Sequence, residues 1–136
     1  MAIRVILADD HQMVREGLQL ILNRAEGIEV IGEANDGQVA VEVVGRLLPD
    51  VVVMDVAMPK LNGMEATGQI KAKHPQVKVI GLSAYADRSY ILGMFAAGAV
   101  GYVLKSAAGR DLVQAIRAVA ANQKYLSAGI MDIAAG

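Results

Sequence analysis

Short aliphatic runs alternate with longer segments of helical periodicity along almost the whole chain, and this alternation restricts the fold more than any other feature. "IRVILA" (3–8), "EVIGEA" (29–34), "VVVM" (51–54), "VKVIGLS" (77–83) and "VGYVL" (100–104) are each too short for a stable helix and read as five strands. Between them, Val14, Leu18, Ile21 and Leu22 share one face of a helix over 12–25, and Leu112, Val113, Ile116, Val119 and Ala120 share one face over 109–120. Three further helices are marked by capping residues: Asn35, Asp36 and Gly37 open the second, Asn62 the third and Asp87 the fourth. Gly27 and Asn122 can close the first and last helices, and Pro49 and Pro75 end the second and third just before a strand.

Five successive strand–helix units specify a parallel sheet with right-handed crossovers and helices on both faces. A barrel needs eight. The expectation is therefore an α/β fold, an open flavodoxin-like (βα)5 doubly wound parallel sheet with strand order 2-1-3-4-5. Composition agrees: the 136 residues are 54% hydrophobic with one Phe and no Trp, so the core must be aliphatic, as in strands buried on both faces.

Charge and cysteine content exclude several functions. A net charge of −1 supplies no basic field, so direct nucleic-acid contact by this stretch is not expected. No apolar run reaches the length of about 20 residues that spans a bilayer, and "MAIRVILADD" meets two acids too early for a signal peptide, so no membrane association and a cytoplasmic location are expected. The absence of cysteine rules out disulfides, thiolate metal sites and a Cys nucleophile.

Open doubly wound sheets bind ligands outside the carboxyl ends of their strands. The residues standing there are Asp9 and Asp10 after the first strand, Asp55 after the third, Ser83 ending the fourth and Lys105 after the fifth. With the first strand central, these ends are neighbours about 4.8 Å apart. Three carboxylates and one ammonium leave −2 in a partly dehydrated cleft, which costs several kcal/mol unless a cation intervenes. Mg²⁺ fits an all-oxygen donor set that leaves coordination positions for water and phosphate. A carboxylate, Mg²⁺, a hydroxyl and a lysine around one point suit phosphoryl transfer, with Asp55 as acceptor and Ser83 and Lys105 contacting phosphoryl oxygens. Asp9 and Asp10 are better placed to hold metal.

Taken singly, each of these residues is better explained as a turn former or a solvated charge; their joint placement at four of five strand ends carries the reading. His11 is expected to stand behind the metal ligands or at the surface, because a hard cation prefers oxygen. His74 before Pro75 reads as structural, and Pro59 reads as stiffening the loop that presents Asp55.

"ILADDHQMVREGL", "VVVMDVAMPKLNGMEAT", "LSAY" and "GAVGYVLKSA" resemble the motifs of bacterial two-component response regulator receiver domains of the NarL/FixJ (LuxR-type) subfamily, over about residues 3–126. The resemblance implies that Asp55 accepts a phosphoryl group from a sensor histidine kinase and that Asp9, Asp10, Asp55 and the backbone carbonyl of Ala57 bind Mg²⁺. It gives Ser83 and Lys105 the phosphate contacts and makes Tyr102 an aromatic switch that follows Ser83. It divides the chain into a receiver over 1–124 and a tail over 125–136 that begins a linker to a DNA-binding, transcription-controlling domain. The chain is then no enzyme beyond Mg²⁺-dependent self-phosphorylation and slow dephosphorylation. Glycine at 93 within the fourth helix, and "FAAGA" near its end, mark that helix as the mobile output element. Met13, Gly17 and Leu20 beside the core face of the first helix fit a homodimer through the first and last helices.

Two rivals differ in one feature each. A haloacid-dehalogenase-type phosphohydrolase also uses an Asp after a strand but requires a second acid two residues on, where this chain has Ala57. A pseudo-receiver would keep the fold and lose the site residues, all of which are present.

Overall fold

In the computed structural model, which describes residues 2–58, 60–127 and Ile130, the expected alternation is realised. Its order is β1 (Ile3–Ala8), α1 (Gln12–Asn23), β2 (Ile28–Ala34), α2 (Gly37–Leu47), β3 (Val51–Asp55), α3 (Gly63–Lys73), β4 (Lys78–Ser83), α4 (Arg88–Ala97), β5 (Gly101–Leu104), α5 (Ala108–Ala120) and β6 (Tyr125–Leu126). One 3₁₀ turn, Lys105–Ala107, joins β5 to α5. The strands form one parallel sheet in the order β2-β1-β3-β4-β5-β6.

The doubly wound character follows from the period-two alternation of the buried strands. Val5, Leu7, Val51, Val53, Ile80 and Leu82 point to the layer of α1 and α5, where they meet Leu18, Leu22, Leu112 and Ile116. Ile6, Ala8, Val52, Met54 and Val79 point to the opposite layer, against Ala40, Val44, Ala66, Ile70, Ile91 and Met94 from α2, α3 and α4. Every residue of β3 is buried, as the run "VVVM" demands of a central strand.

Capping matches the sequence closely. Asp36 accepts from Val39 N, Asn62 forms a capping box with Glu65, and Asp87 accepts from Ser89 N and Tyr90 N. Asn122, at φ 64°, follows the last helix as expected, whereas α1 ends at Arg24 and Gly27, at φ 80°, instead turns the chain into β2. His74 is the C-cap of α3, in keeping with a structural role.

The strand count is corrected by one. After Asn122 reverses the chain, Tyr125 and Leu126 pair in parallel with Gly101 and Tyr102, so the sheet has six strands rather than five. Two residues are too few to show an alternating pattern, and only the exposed edge of β5 makes them a strand.

Candidate functional site

Strand register sets the geometry of the site. Ala8 pairs with Met54, Asp55 with Leu82 and Ser83 with Leu104, so Asp9, Asp55, Ser83 and Lys105 arrive at the same edge of four adjacent strands. Asp9, Asp55 and Ser83 are buried at 1%, 3% and 3% exposure, while Asp10 stands at the rim. Lys105 Nζ lies 2.9 Å from Asp9 Oδ2 and 3.3 Å from Asp55 Oδ2. Donor atoms of Asp9, Asp10, His11 and Asp55 all fall within 4.8 Å of one another.

Electrostatically this is a site with an excess of negative charge. Burial, followed by the neighbouring Asp9, pushes the Asp55 carboxyl up to about 6, against the downward pull of Lys105 and of the Ala57 N–H. Burial alone would lower the Lys105 pKa, but its hydrogen bond to Asp9 and the charges of Asp55 and Asp9 outweigh that and hold it above the usual lysine value. Asp9 Oδ2 is fully buried, and the charge that faces it is the Lys105 ammonium at 2.9 Å. A buried carboxylate oxygen beside two more carboxylates is a natural ligand position for a hard divalent cation.

His11 Nδ1 is 3.1 Å from Asp9 Oδ1 and from Asp10 Oδ1. Its ring is 63% exposed. Ser83 Oγ accepts from Tyr85 N at 3.0 Å. Tyr102 is fully buried, with its hydroxyl 3.4 Å from Tyr85 O, and burial raises its phenol pKa against the opposing hydrogen bond of Ser83. Ser83 and Tyr102 are thus joined to one loop residue, Tyr85. Ala57 donates its N–H to Asp55 Oδ1 at 3.2 Å. Pro59 lies outside the described residues.

Two supporting residues escaped the sequence reading. A Cβ on Gly63 would lie 2.3 Å from Asp55 O and 2.8 Å from Val56 Cα, so only glycine lets α3 begin directly beneath Asp55. Arg15, one turn into α1, donates to Asp9 O at 2.5 Å and reaches Glu33 Oε1 at 3.3 Å. Both lie inside the quoted motifs, but neither stands at a strand end.

A model of the response regulator receiver domain matches residues 5–117. The chain belongs to that family. It is 41% identical over 124 residues to the transcriptional regulatory protein DegU of Brevibacillus brevis, covering 91% of this chain and 52% of that protein. The response regulator UvrY of Escherichia coli K12 is 41% identical over 128 residues, covering 94% of this chain and 59% of UvrY. The chain therefore spans little more than half the length of these curated relatives. Among solved structures, a LuxR-family two-component response regulator from Aurantimonas sp. SI85-9A1 superposes with a TM-score of 0.95 at 36% identity, covering 99% of this receiver domain and 96% of that chain. The isolated REC domain of RcsB from Salmonella enterica serovar Typhimurium, solved with the phosphomimetic BeF3⁻, gives a TM-score of 0.89 at 26% identity over 98% and 99% of the two chains. Among the described residues of this receiver domain, no helix is long and apolar enough to cross a membrane.

Proposed function

We propose that this receiver domain is a phosphoryl switch in which Asp55 accepts a phosphoryl group from the phosphohistidine of a sensor histidine kinase. The observation that carries the reading is the convergence of Lys105 on two buried carboxylates of adjacent strands, 2.9 Å from Asp9 Oδ2 and 3.3 Å from Asp55 Oδ2. An ammonium fixed there meets phosphoryl oxygen as soon as Asp55 is modified. One Asp55 oxygen attacks phosphorus, the N–P bond of the donor breaks, and the leaving imidazole takes up a proton from water. Lys105 transfers its contact from carboxylate to a phosphoryl oxygen, and the Ser83 hydroxyl donates to another.

Asp9, Asp10, Asp55 and the Ala57 carbonyl would hold Mg²⁺, whose charge offsets that developing on the equatorial phosphoryl oxygens. The fit rests on the three clustered carboxylates, which a single ammonium leaves with an excess of negative charge. Phosphorylation takes Asp55 from about −1 to about −2, which draws Ser83 inward and frees Tyr102 from the Tyr85 loop. A cytoplasmic role in transcriptional control fits the names of its relatives, of which this receiver domain covers little more than half. Met13 and Leu20 on α1, 84% and 61% exposed, suit a homodimer through α1 and α5.

Ala57 argues for a signal rather than turnover, since a hydrolase of the haloacid dehalogenase type needs an acid there. Incubation with radiolabelled acetyl phosphate and Mg²⁺ tests the assignment: wild type incorporates label and Asp55→Asn does not. Label persisting in the variant would overturn it.

A further inference from the structure

We propose that Arg15 is a positioning residue for the metal-binding carboxylate of Asp9, an inference that rests on the Mg²⁺-dependent reading above. Asp9 sits on the turn between β1 and α1, where the strand has ended and backbone hydrogen bonding of the sheet gives out. Its N–H is still tied to β2 by Ala34 O at 3.0 Å. Its carbonyl turns away from the sheet and takes the Arg15 Nη1 donor at 2.5 Å. The guanidinium is in turn oriented by Glu33, near the end of β2, with Nε 3.3 Å from Oε1. The Arg15 side chain is only 16% exposed, so this contact is held in a partly dehydrated environment, where a charged donor is strong and its direction is fixed.

The consequence for Asp9 is orientational. With N–H and carbonyl both fixed, the peptide planes around Asp9 are set and its carboxylate is directed into the cluster, where Oδ1 accepts from His11 N at 2.8 Å and Oδ2 faces the Lys105 ammonium at 2.9 Å. Residues that orient metal ligands through a hydrogen bond typically change metal affinity by about 10- to 100-fold when removed. A bystander role predicts the opposite sign. Arg15 is a cation near an acidic cluster, so deleting its charge with no loss of geometry would tighten Mg²⁺ binding.

The test is calorimetric titration of the whole chain with MgCl₂, without phosphodonor, on wild type, Arg15→Ala and Arg15→Lys, with the folded state of each checked by thermal melting. Arg15→Ala is expected to bind Mg²⁺ about ten-fold more weakly than wild type. Arg15→Lys keeps the charge but loses the fork, so it isolates orientation from charge; it binds more weakly than wild type and more tightly than Arg15→Ala, and it serves alone if Arg15→Ala does not fold. Folded variants that bind as tightly as wild type, or tighter, overturn the role of Arg15 and leave the Mg²⁺ reading intact. A wild type that takes up no Mg²⁺ overturns both.

Discussion

Asp55 and Lys105, fifty residues apart in the chain, meet at 3.3 Å between Oδ2 and Nζ, and the same ammonium stands 2.9 Å from Asp9 Oδ2. One cation thus serves two buried carboxylates, and the balance of the site depends on it. Replacing Lys105 by Met leaves both acids without that counter-charge. We expect the metal-free variant to lose about 2 kcal/mol at pH 7.5 in urea titration, with much of the loss recovered on adding Mg²⁺. Unchanged stability would show that the pair is solvated.

The raised Asp55 pKa, about 6 in the metal-free fold against 3.8 for an ordinary aspartate, fixes the sign of a pH effect. The folded state holds its proton more tightly than the unfolded state. The stabilisation that protonation provides is therefore complete below about pH 4 and is lost as pH rises through about 6. At pH 7.5 without metal, Asp55→Asn should be more stable than wild type by about 1 to 2 kcal/mol, less than the full pKa shift implies because Lys105 loses a charged partner, and the difference should shrink toward pH 4. Parallel curves for the two proteins from pH 4 to 8 would refute this.

Mg²⁺ opposes the same repulsion, so it should stabilise wild type at neutral pH. At ten times its dissociation constant the gain is about 1.4 kcal/mol, or about 3 to 5 °C in melting temperature for a domain of this size. Asp9→Asn should abolish most of the shift. A shift of equal size in that variant would place the ion elsewhere.

Gly63 separates packing from chemistry. Because its Cβ would fall 2.3 Å from Asp55 O, Gly63→Ala must move either the start of α3 or the acceptor strand end. We expect a loss of about 2 kcal/mol and a slower phosphorylation rate with acetyl phosphate, since the moved backbone carries Asp55, the proposed nucleophile. Wild-type rates in the folded variant would show that α3 yields and Asp55 does not.

Helix α4 is ten residues long against twelve in α1, and it carries Gly93 in its middle. Its amides should exchange faster than those of α1, and the difference should change on addition of beryllofluoride. Protection equal to that of α1 in both states would remove α4 as the mobile output element.

The amino-acid sequence by itself determined the alternation of elements, the cap residues Asp36, Asn62 and Asp87, and which side chains end the strands, because each depends on a local period or on a local hydrogen bond. It therefore placed Asp9, Asp55, Ser83 and Lys105 at one edge. What only the tertiary structure decided are the relations between residues far apart in the chain. Tyr125–Leu126 became a strand because β5 offered an unpaired edge, and Gly63 became indispensable because α3 starts against the backbone of Asp55. Arg15 gained its partners when the ends of β1 and β2 were brought side by side. Local periodicity is written in neighbouring residues; a guanidinium on α1 facing a carboxylate on β2 is created only when the sheet closes.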